Sequence, residues 1–415
     1  MDLFEKCRRF LADPAYAARL GYPTNPRTAQ ALGLYPYFIP LEESEGTTAT
    51  VGGRRVIMIG SNNYLGLTTD PRVRAAAAEA IRRYGTSCTG SRFLNGTLPL
   101  HLELEERLAH FLGKEKALVF STGYQANLGA ISALLGRGDV VVCDKEDHAS
   151  IFDGCRLALG EMRRFRHNDV GDLERILSSL PPDAGRLVVV DGVFSMSGEI
   201  APLREIADCC RRHGARLMVD DAHGIGVTGG GRGTAAQFDL TDEVDLIMGT
   251  FSKSLASVGG FIAGEEAAIH WIQHRARSLI FSASLPPASA ASALAALEIL
   301  EREPERVARV NAIADRMRGE FQRLGYDTGR SCTPIVPLVI GGAAETLRLW
   351  RSLLDEGVYT NVALPPAVPE GRCLLRTSYM ATHTEEQLGE VVAAVARVSS
   401  AGTILGWTSA DEEGK

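Results

Sequence analysis

The chain has 415 residues, 45% of them hydrophobic and 23% charged, with a formal net charge of −7. That is a globular composition, long enough for two or three structural units. The negative balance, with no basic stripe, excludes a general nucleic-acid role.

The start, MDLFEKCRRFLADP, is charged and lacks the apolar run of a signal peptide. No apolar segment approaches the ~20 residues of a membrane-spanning helix; the nearest, Ala288 to Leu300, contains serines and a glutamate and reads as a packed helix. A cytoplasmic location is therefore expected. The eight cysteines form no C-x-x-C pair, so no zinc or redox motif is predicted, nor any other metal site, and they read as thiols in a reducing compartment.

Residues 1–60 read as a lead-in: a helical start, a proline-rich stretch from Pro23 to Pro40, and a strand at Arg55 to Ile59. Pro71 to Tyr84 reads as a helix, with Asp70 as N-cap, Pro71 at the first position and Gly85 as its stop. Leu102 to Leu112 is helical by period. Short apolar runs then follow at Ala117 to Phe120, Val140 to Cys143, Leu187 to Val190, Leu217 to Val219 and Val244 to Met248. Each ends on polar residues, and helical segments such as Leu203 to Arg212 separate many of them. Buried strands alternating with helices predict an α/β fold with a mostly parallel central sheet covered by helices on both faces. Ligands in such sheets bind at the carboxyl ends of the strands. After Pro286-Pro287 the texture changes. Helices at Ala288 to Arg302 and Arg306 to Leu324 precede a strand at Ile335 to Ile340, a helix at Glu345 to Glu356, a strand at Cys373 to Thr377 and a helix from Thr384. The expected division is a large domain over 61–287, a smaller C-terminal α+β domain over 288–405 and a disordered acidic tail over 406–415.

Three strand ends concentrate the chemistry: Asp147-His148-Ala149-Ser150, Asp220-Asp221-Ala222-His223 and Gly249-Thr250-Phe251-Ser252-Lys253. A carboxylate, a lysine and two histidines on one edge of one sheet meet the needs of pyridoxal phosphate. The lysine carries the cofactor as a Schiff base, and the carboxylate keeps the pyridine nitrogen protonated. A flat imidazole covers a ring face. The phosphate needs N–H groups at a helix start, which the Ser121-Thr122-Gly123-Tyr124 turn can offer. Lys253, Asp220 and His148 fill the other roles. Taken singly, each has a blander reading: a surface lysine, a helix-capping aspartate, a histidine on a loop carbonyl. Their convergence is what favours the chemical reading. Asp221 reads as structural. The Gly224 to Gly229 stretch fits G-x-G-x-x-G, but the four positions Asp220 to His223 stand between the strand and the first glycine and a poor helix start follows, so a dinucleotide site is set aside.

At these motifs the sequence resembles the α-oxoamine synthase family of fold-type-I pyridoxal phosphate enzymes. SNNYLGL from Ser61, GSRFLNGT from Gly90, FSTGYQAN from Phe120, DHASIFDGC from Asp147, FRHN from Phe165, GEIAPL from Gly198, GTFSKS from Gly249, FSASLPP from Phe281 and LRTS from Leu375 carry the likeness in order along nearly the whole chain. Within the family the wording is nearest to the soluble bacterial serine palmitoyltransferases. There are two departures: Asp221 stands where relatives usually have Glu, and the residues around Arg376 match only partly. The resemblance implies a decarboxylative condensation of an amino acid with an acyl-CoA thioester, giving an α-amino ketone. Serine is favoured; alanine or glycine, as in 8-amino-7-oxononanoate synthase or 2-amino-3-ketobutyrate CoA ligase, and an acyl carrier protein as donor stay open. It further implies that Lys253 binds the cofactor and moves the Cα proton, Asp220 pairs with the pyridine nitrogen and His148 stacks on the ring. His223 and Ser195 would hydrogen-bond the phenolic oxygen, and Gly123, Tyr124, Thr250 and Ser252 would hold the phosphate. Arg376 would bind the substrate carboxylate, with Asn62 near the substrate. Ser282 would reach the phosphate of a neighbouring subunit, which implies a homodimer.

Overall fold

The structure is a computed structural model that describes residues 2–400. The chain forms two compact units.

The larger unit comprises Asn62–Ser195 and Glu199–Asn311. Its centre is a seven-stranded sheet in the order Lys116–Phe120, Gly260–Gly264, Leu246–Thr250, Arg216–Asp220, Arg186–Asp191, Val140–Asp144 and Glu161–Phe165. The last five run parallel to one another, and Gly260–Gly264 lies antiparallel to both its neighbours. Side chains in a strand alternate between faces. Here both faces are buried: Val140, Val142, Val188, Val190, Leu217 and Val219 enter one apolar core, while Val141, Cys143, Leu187, Val189, Met218 and Met248 enter another. This is why the strands read as unbroken apolar runs. Two strands of this sheet carry no such apolar run. Gly260–Gly264 (GFIAG) is bounded by glycines, and Glu161–Phe165 (EMRRF) is a largely charged edge strand.

The helix Pro71–Tyr84 begins as expected, with the Asp70 carboxylate accepting from the Arg72 N–H at 3.0 Å. Its Val73 shares a core with Ala290, Ala293, Ala296 and Leu297 of the helix Pro287–Arg302. The expected boundary after residue 287 is therefore displaced: small alanine side chains seat that helix in the larger unit, which extends to Asn311.

The smaller unit gathers the N-terminal segment up to Ser61, the stretch Met196–Gly198 and the chain from Ala312 on. It holds a four-stranded sheet ordered Glu43–Ser44, Thr48–Val51, Arg54–Met58 and Val358–Tyr359, and a three-stranded antiparallel sheet ordered Ile335–Gly341, Cys373–Ser378 and Asn361–Ala363. The first sixty residues are thus part of this unit rather than a separate lead-in. Ile57 pairs with Val358, and Val56 and Met58 share a core with Trp350, Leu353, Val391 and Val395. The last described helix, Glu385–Val398, opens with a capping box between Thr384 and Gln387. The expected disordered tail lies outside the described residues. Among the described residues, no helix is long and apolar enough to cross a membrane.

Candidate active site

A cavity of about 370 Å³ opens at the carboxyl ends of the central strands of the larger unit. Its wall includes Gly123, Tyr124, His148, Ser195, Asp220, His223, Thr250, Ser252 and Lys253. Nine of the twelve expected site residues therefore meet in one place. Asn62 joins them through Tyr64, whose hydroxyl lies 3.3 Å from Asn62 Oδ1 and 2.7 Å from Nδ1 of His223. Ser282 accepts a hydrogen bond from Gln125 Nε2 at 3.0 Å and is not part of the cavity wall. Arg376 belongs to the smaller unit, buried on the strand Cys373–Ser378 between Pro337 and Asn361.

Asp220 closes the strand Arg216–Asp220, and two donors pin its carboxylate. Oδ1 accepts from the Ala222 N–H at 3.0 Å and Oδ2 from Asn127 Nδ2 at 2.7 Å. Asn127 is fully buried on the helix Gly123–Leu134 and donates its second amide hydrogen to Ser150 Oγ at 2.8 Å. Its Oδ1 meets no hydrogen-bond partner among the described residues. Leaving such an atom buried costs about 1–3 kcal/mol, so the site sacrifices an acceptor to spend both donors. Ser150 Oγ lies 2.7 Å from Nδ1 of His148, which caps the helix Ala149–Leu157. Burial pushes the His148 imidazole below its ordinary value; Asp220 opposes the shift and Lys253 adds to it.

Behind this row sit further carboxyls. Asp191 lines the cavity and faces Asp220 across paired strands. Burial pushes it well above the usual carboxylate range, and Asp220 pushes the same way. Asp147 is raised likewise by burial and by Asp191; it accepts from the Asp191 and Asp144 N–H groups at 2.8 Å each. Asp221 points away from the cavity. It accepts from the Thr234 N–H at 2.6 Å and lies 3.0 Å from the Thr234 hydroxyl, closing the glycine-rich loop that begins at Gly224. That loop leads into a short 3-10 turn at Gly229–Gly231 rather than a helix, so the G-x-G-x-x-G match has a structural cause.

Another part of the lining can take an anion. Thr122 caps the helix Gly123–Leu134, accepting from the Gln125 N–H at 3.1 Å. Helix starts of this kind present free N–H groups to phosphates. A Cβ at Gly123 would fall 2.9 Å from Thr250 Oγ1, so only glycine leaves the threonine hydroxyl its place. Thr250 Oγ1 lies 2.8 Å from Ser252 Oγ and donates to the Gly259 carbonyl at 2.9 Å. Tyr124 keeps its backbone at the helix start and turns its phenol to Asp153.

A family model for aminotransferase class I and II matches residues 54–395. A serine palmitoyltransferase of Sphingobacterium spiritivorum is 49% identical over 367 residues, covering 88% of this chain and 92% of the relative. An 8-amino-7-oxononanoate synthase of Geobacter sulfurreducens is 47% identical over 370 residues, covering 88% and 94%. A solved structure of serine palmitoyltransferase with a pyridoxal phosphate internal aldimine superposes with a TM-score of 0.91 at 38% identity, over 97% of this chain and 99% of that one. The chain belongs to the α-oxoamine synthase family.

As an α-oxoamine synthase it is an acyltransferase that depends on pyridoxal phosphate. The residues present fit that cofactor. A pinned carboxylate, a lysine, a flat imidazole and an anion cradle that a Cβ would fill share one cavity. Tyr64, Asn127, Ser150 and Asp191 add to the expected set. Tyr64, Asn127 and Ser150 lie inside the motifs SNNYLGL, FSTGYQAN and DHASIFDGC, and Asp191 ends a buried strand. The signal was position, but their partners come from other elements.

Proposed function

We propose that the chain condenses serine with a long-chain acyl-CoA, releasing CoA and carbon dioxide and leaving an α-amino ketone. The observation that carries the chemistry is Lys253 in one cavity with the doubly held carboxylate of Asp220 and the neutral imidazole of His148. The likeness to proteins named serine palmitoyltransferase supports serine. The 47% identity to an 8-amino-7-oxononanoate synthase favours alanine as the second reading.

Pyridoxal phosphate, when bound, supplies an electron sink for a carbanion at the substrate Cα. Asp220 would accept the pyridine N–H and keep that nitrogen protonated, with Asn127 and the Ala222 N–H holding the carboxylate for this. Lys253 would be the covalent holder and the base for the Cα proton. His148 would lie against the ring. His223, backed by Tyr64, and Ser195 would hydrogen-bond the phenolic oxygen. The N–H groups of Gly123 and Tyr124, with the hydroxyls of Thr250 and Ser252, would hold the phosphate. On the family resemblance, Arg376 binds the substrate carboxylate as a two-pronged donor, and Asn62 borders the substrate. The working form is a homodimer in which Ser282 reaches the neighbouring subunit's phosphate. All eight cysteines are free thiols, which fits a cytoplasmic enzyme, and either CoA or a carrier protein can present the acyl group.

The test is the visible spectrum of the purified protein, titrated with serine, alanine and glycine, followed by thiol release from palmitoyl-CoA. A yellow cofactor band that serine alone shifts, with thiol release dependent on serine, is the expected result. A shift with alanine alone moves the assignment to the second reading. Lys253→Ala should abolish the band and lower turnover by ~10²–10⁴-fold, as for loss of a proton-transfer group. A protein that stays colourless with added pyridoxal phosphate overturns the proposal.

A further inference from the structure

We propose that Asn127 and Ser150 are positioning residues, a one-way chain of donors that fixes His148 as its Nε2–H tautomer and ties that ring to the carboxylate of Asp220. The inference rests on reading the cavity as the cofactor site, and goes beyond it by naming what sets the tautomer of the imidazole and the orientation of the carboxylate expected against the ring.

The direction of the chain follows from chemistry. Asn127 Nδ2 stands 2.7 Å from Asp220 Oδ2 and 2.8 Å from Ser150 Oγ. Turning the amide over would bring two oxygen acceptors together at Asp220, so the nitrogen faces the carboxylate. Both amide hydrogens are then spent. Ser150 Oγ accepts one of them, which leaves its own proton for His148 Nδ1 at 2.7 Å. The Ser150 backbone N–H points at the same nitrogen from 3.3 Å. A ring nitrogen that faces two donors carries no proton, so the neutral ring holds its hydrogen on Nε2.

The surroundings act in the same sense. Asn127 is fully buried and Ser150 almost so. The charged groups that act on His148 are Asp220 and Lys253; its backbone N–H bonds to Asp191, and the Tyr124 ring meets it edge-on at 6.2 Å. A proton arriving at Nδ1 would have to displace both donors from Ser150. Burial and Lys253 disfavour the charged ring as well, with Asp220 alone opposing them. The result is an imidazole that stays neutral, and an Asp220 that meets only donors.

The decisive variant is Ser150→Ala, which removes one hydroxyl and leaves the helix backbone in place. Protein labelled with ¹⁵N-histidine, free of cofactor, should give His148 signals of a single Nε2-protonated form, assigned by their loss in His148→Asn. In Ser150→Ala, which keeps only the backbone donor, part of the signal should move to the Nδ1-protonated form, and the ring should titrate at a higher pH than in the wild type. In the loaded enzyme the same ionisation should appear as a new limb in the pH profile of kcat/KM, with kcat about tenfold lower, the scale of one lost hydrogen bond. Ser150→Thr, which keeps the hydroxyl, should restore both. Asn127→Leu should in addition weaken cofactor binding by about tenfold or more, read by fluorescence titration of the apo-protein. A Ser150→Ala protein with wild-type histidine signals and pH profile overturns the inference. Because the histidine spectrum is read without cofactor, a failure to bind pyridoxal phosphate would sink the functional reading while leaving this test intact.

Discussion

Asp220 and Asp191 stand opposite each other at the ends of adjacent strands, yet their surroundings differ. Asp220 meets two donors, whereas Asp191 is raised by burial and by Asp220 itself. Asp191→Asn should therefore mimic the protonated acid and stay within a few-fold of wild type. Asp220→Asn should lose ~10²–10³ in kcat/KM, the scale of one lost electrostatic contact to a developing charge. Steady-state rates and the cofactor band check both, and a sharper loss in the Asp191 variant would reverse the assignment. Asp221 gives a stability prediction. Burial raises it from 3.8 to about 7, against the hydrogen bonds from Thr234. An acid raised in the fold is charged in the unfolded chain first, so the folded state loses stability as pH climbs from about 4 to 7. The slope is at most ~1.4 kcal/mol per pH unit from this group. Urea midpoints should show the slope in wild type and a flatter curve in Asp221→Asn. The convergence of Lys253, Asp220 and His148 in one cavity was legible from strand ends. Asn127 was not, because an asparagine inside a helix has no periodicity to betray it, and its partners come from two other segments.

The elements of the central sheet were legible wherever a strand is apolar on both faces, as at Val140–Asp144 and Arg186–Asp191. The antiparallel strand Gly260–Gly264 escaped because glycines at both ends read as turn residues. The structure explains them. A Cβ at Gly260 would sit 2.5 Å from the Gly123 Cα, so strand and helix start touch backbone to backbone. Gly260→Ala should cost ~1–3 kcal/mol by overpacking, seen as a lower urea midpoint, and should also weaken cofactor binding by displacing the helix start. Gly123→Ala meets the Thr250 side chain instead. It should perturb stability less and cofactor binding at least as much. Equal effects of the two on stability would contradict this packing account.

At the scale of the whole molecule, the α/β class and the mostly parallel sheet were visible in the alternation of runs. The unit boundaries were not. A helix shows which face is apolar but not which core it joins, and the alanine face of Pro287–Arg302 gave no hint that Val73 was its neighbour. The larger unit leaves Phe93, Leu94, Val258 and Phe281 exposed, with Phe281 at 75% and Leu94 at 79%. The homodimer proposed above would cover side chains of this kind. Sedimentation should therefore give twice the 44.6 kDa chain mass, and Phe281→Asp should shift it toward monomer with loss of the cofactor band. A monomeric, fully active wild type would rule out the shared site. One feature of the sheet reaches into turnover itself. Thr250 pairs with Gly260, so the segment bearing Lys253 is a loop closed at its base, drawn in further by the Phe251 N–H on the Gly259 carbonyl and the Ser257 N–H on the Phe251 carbonyl. In the role proposed above, as holder and proton carrier within each cycle, that side chain is thereby tethered. Its amine stays at an effective concentration on the order of millimolar or more beside the place it has to return to, so resetting the enzyme needs no search.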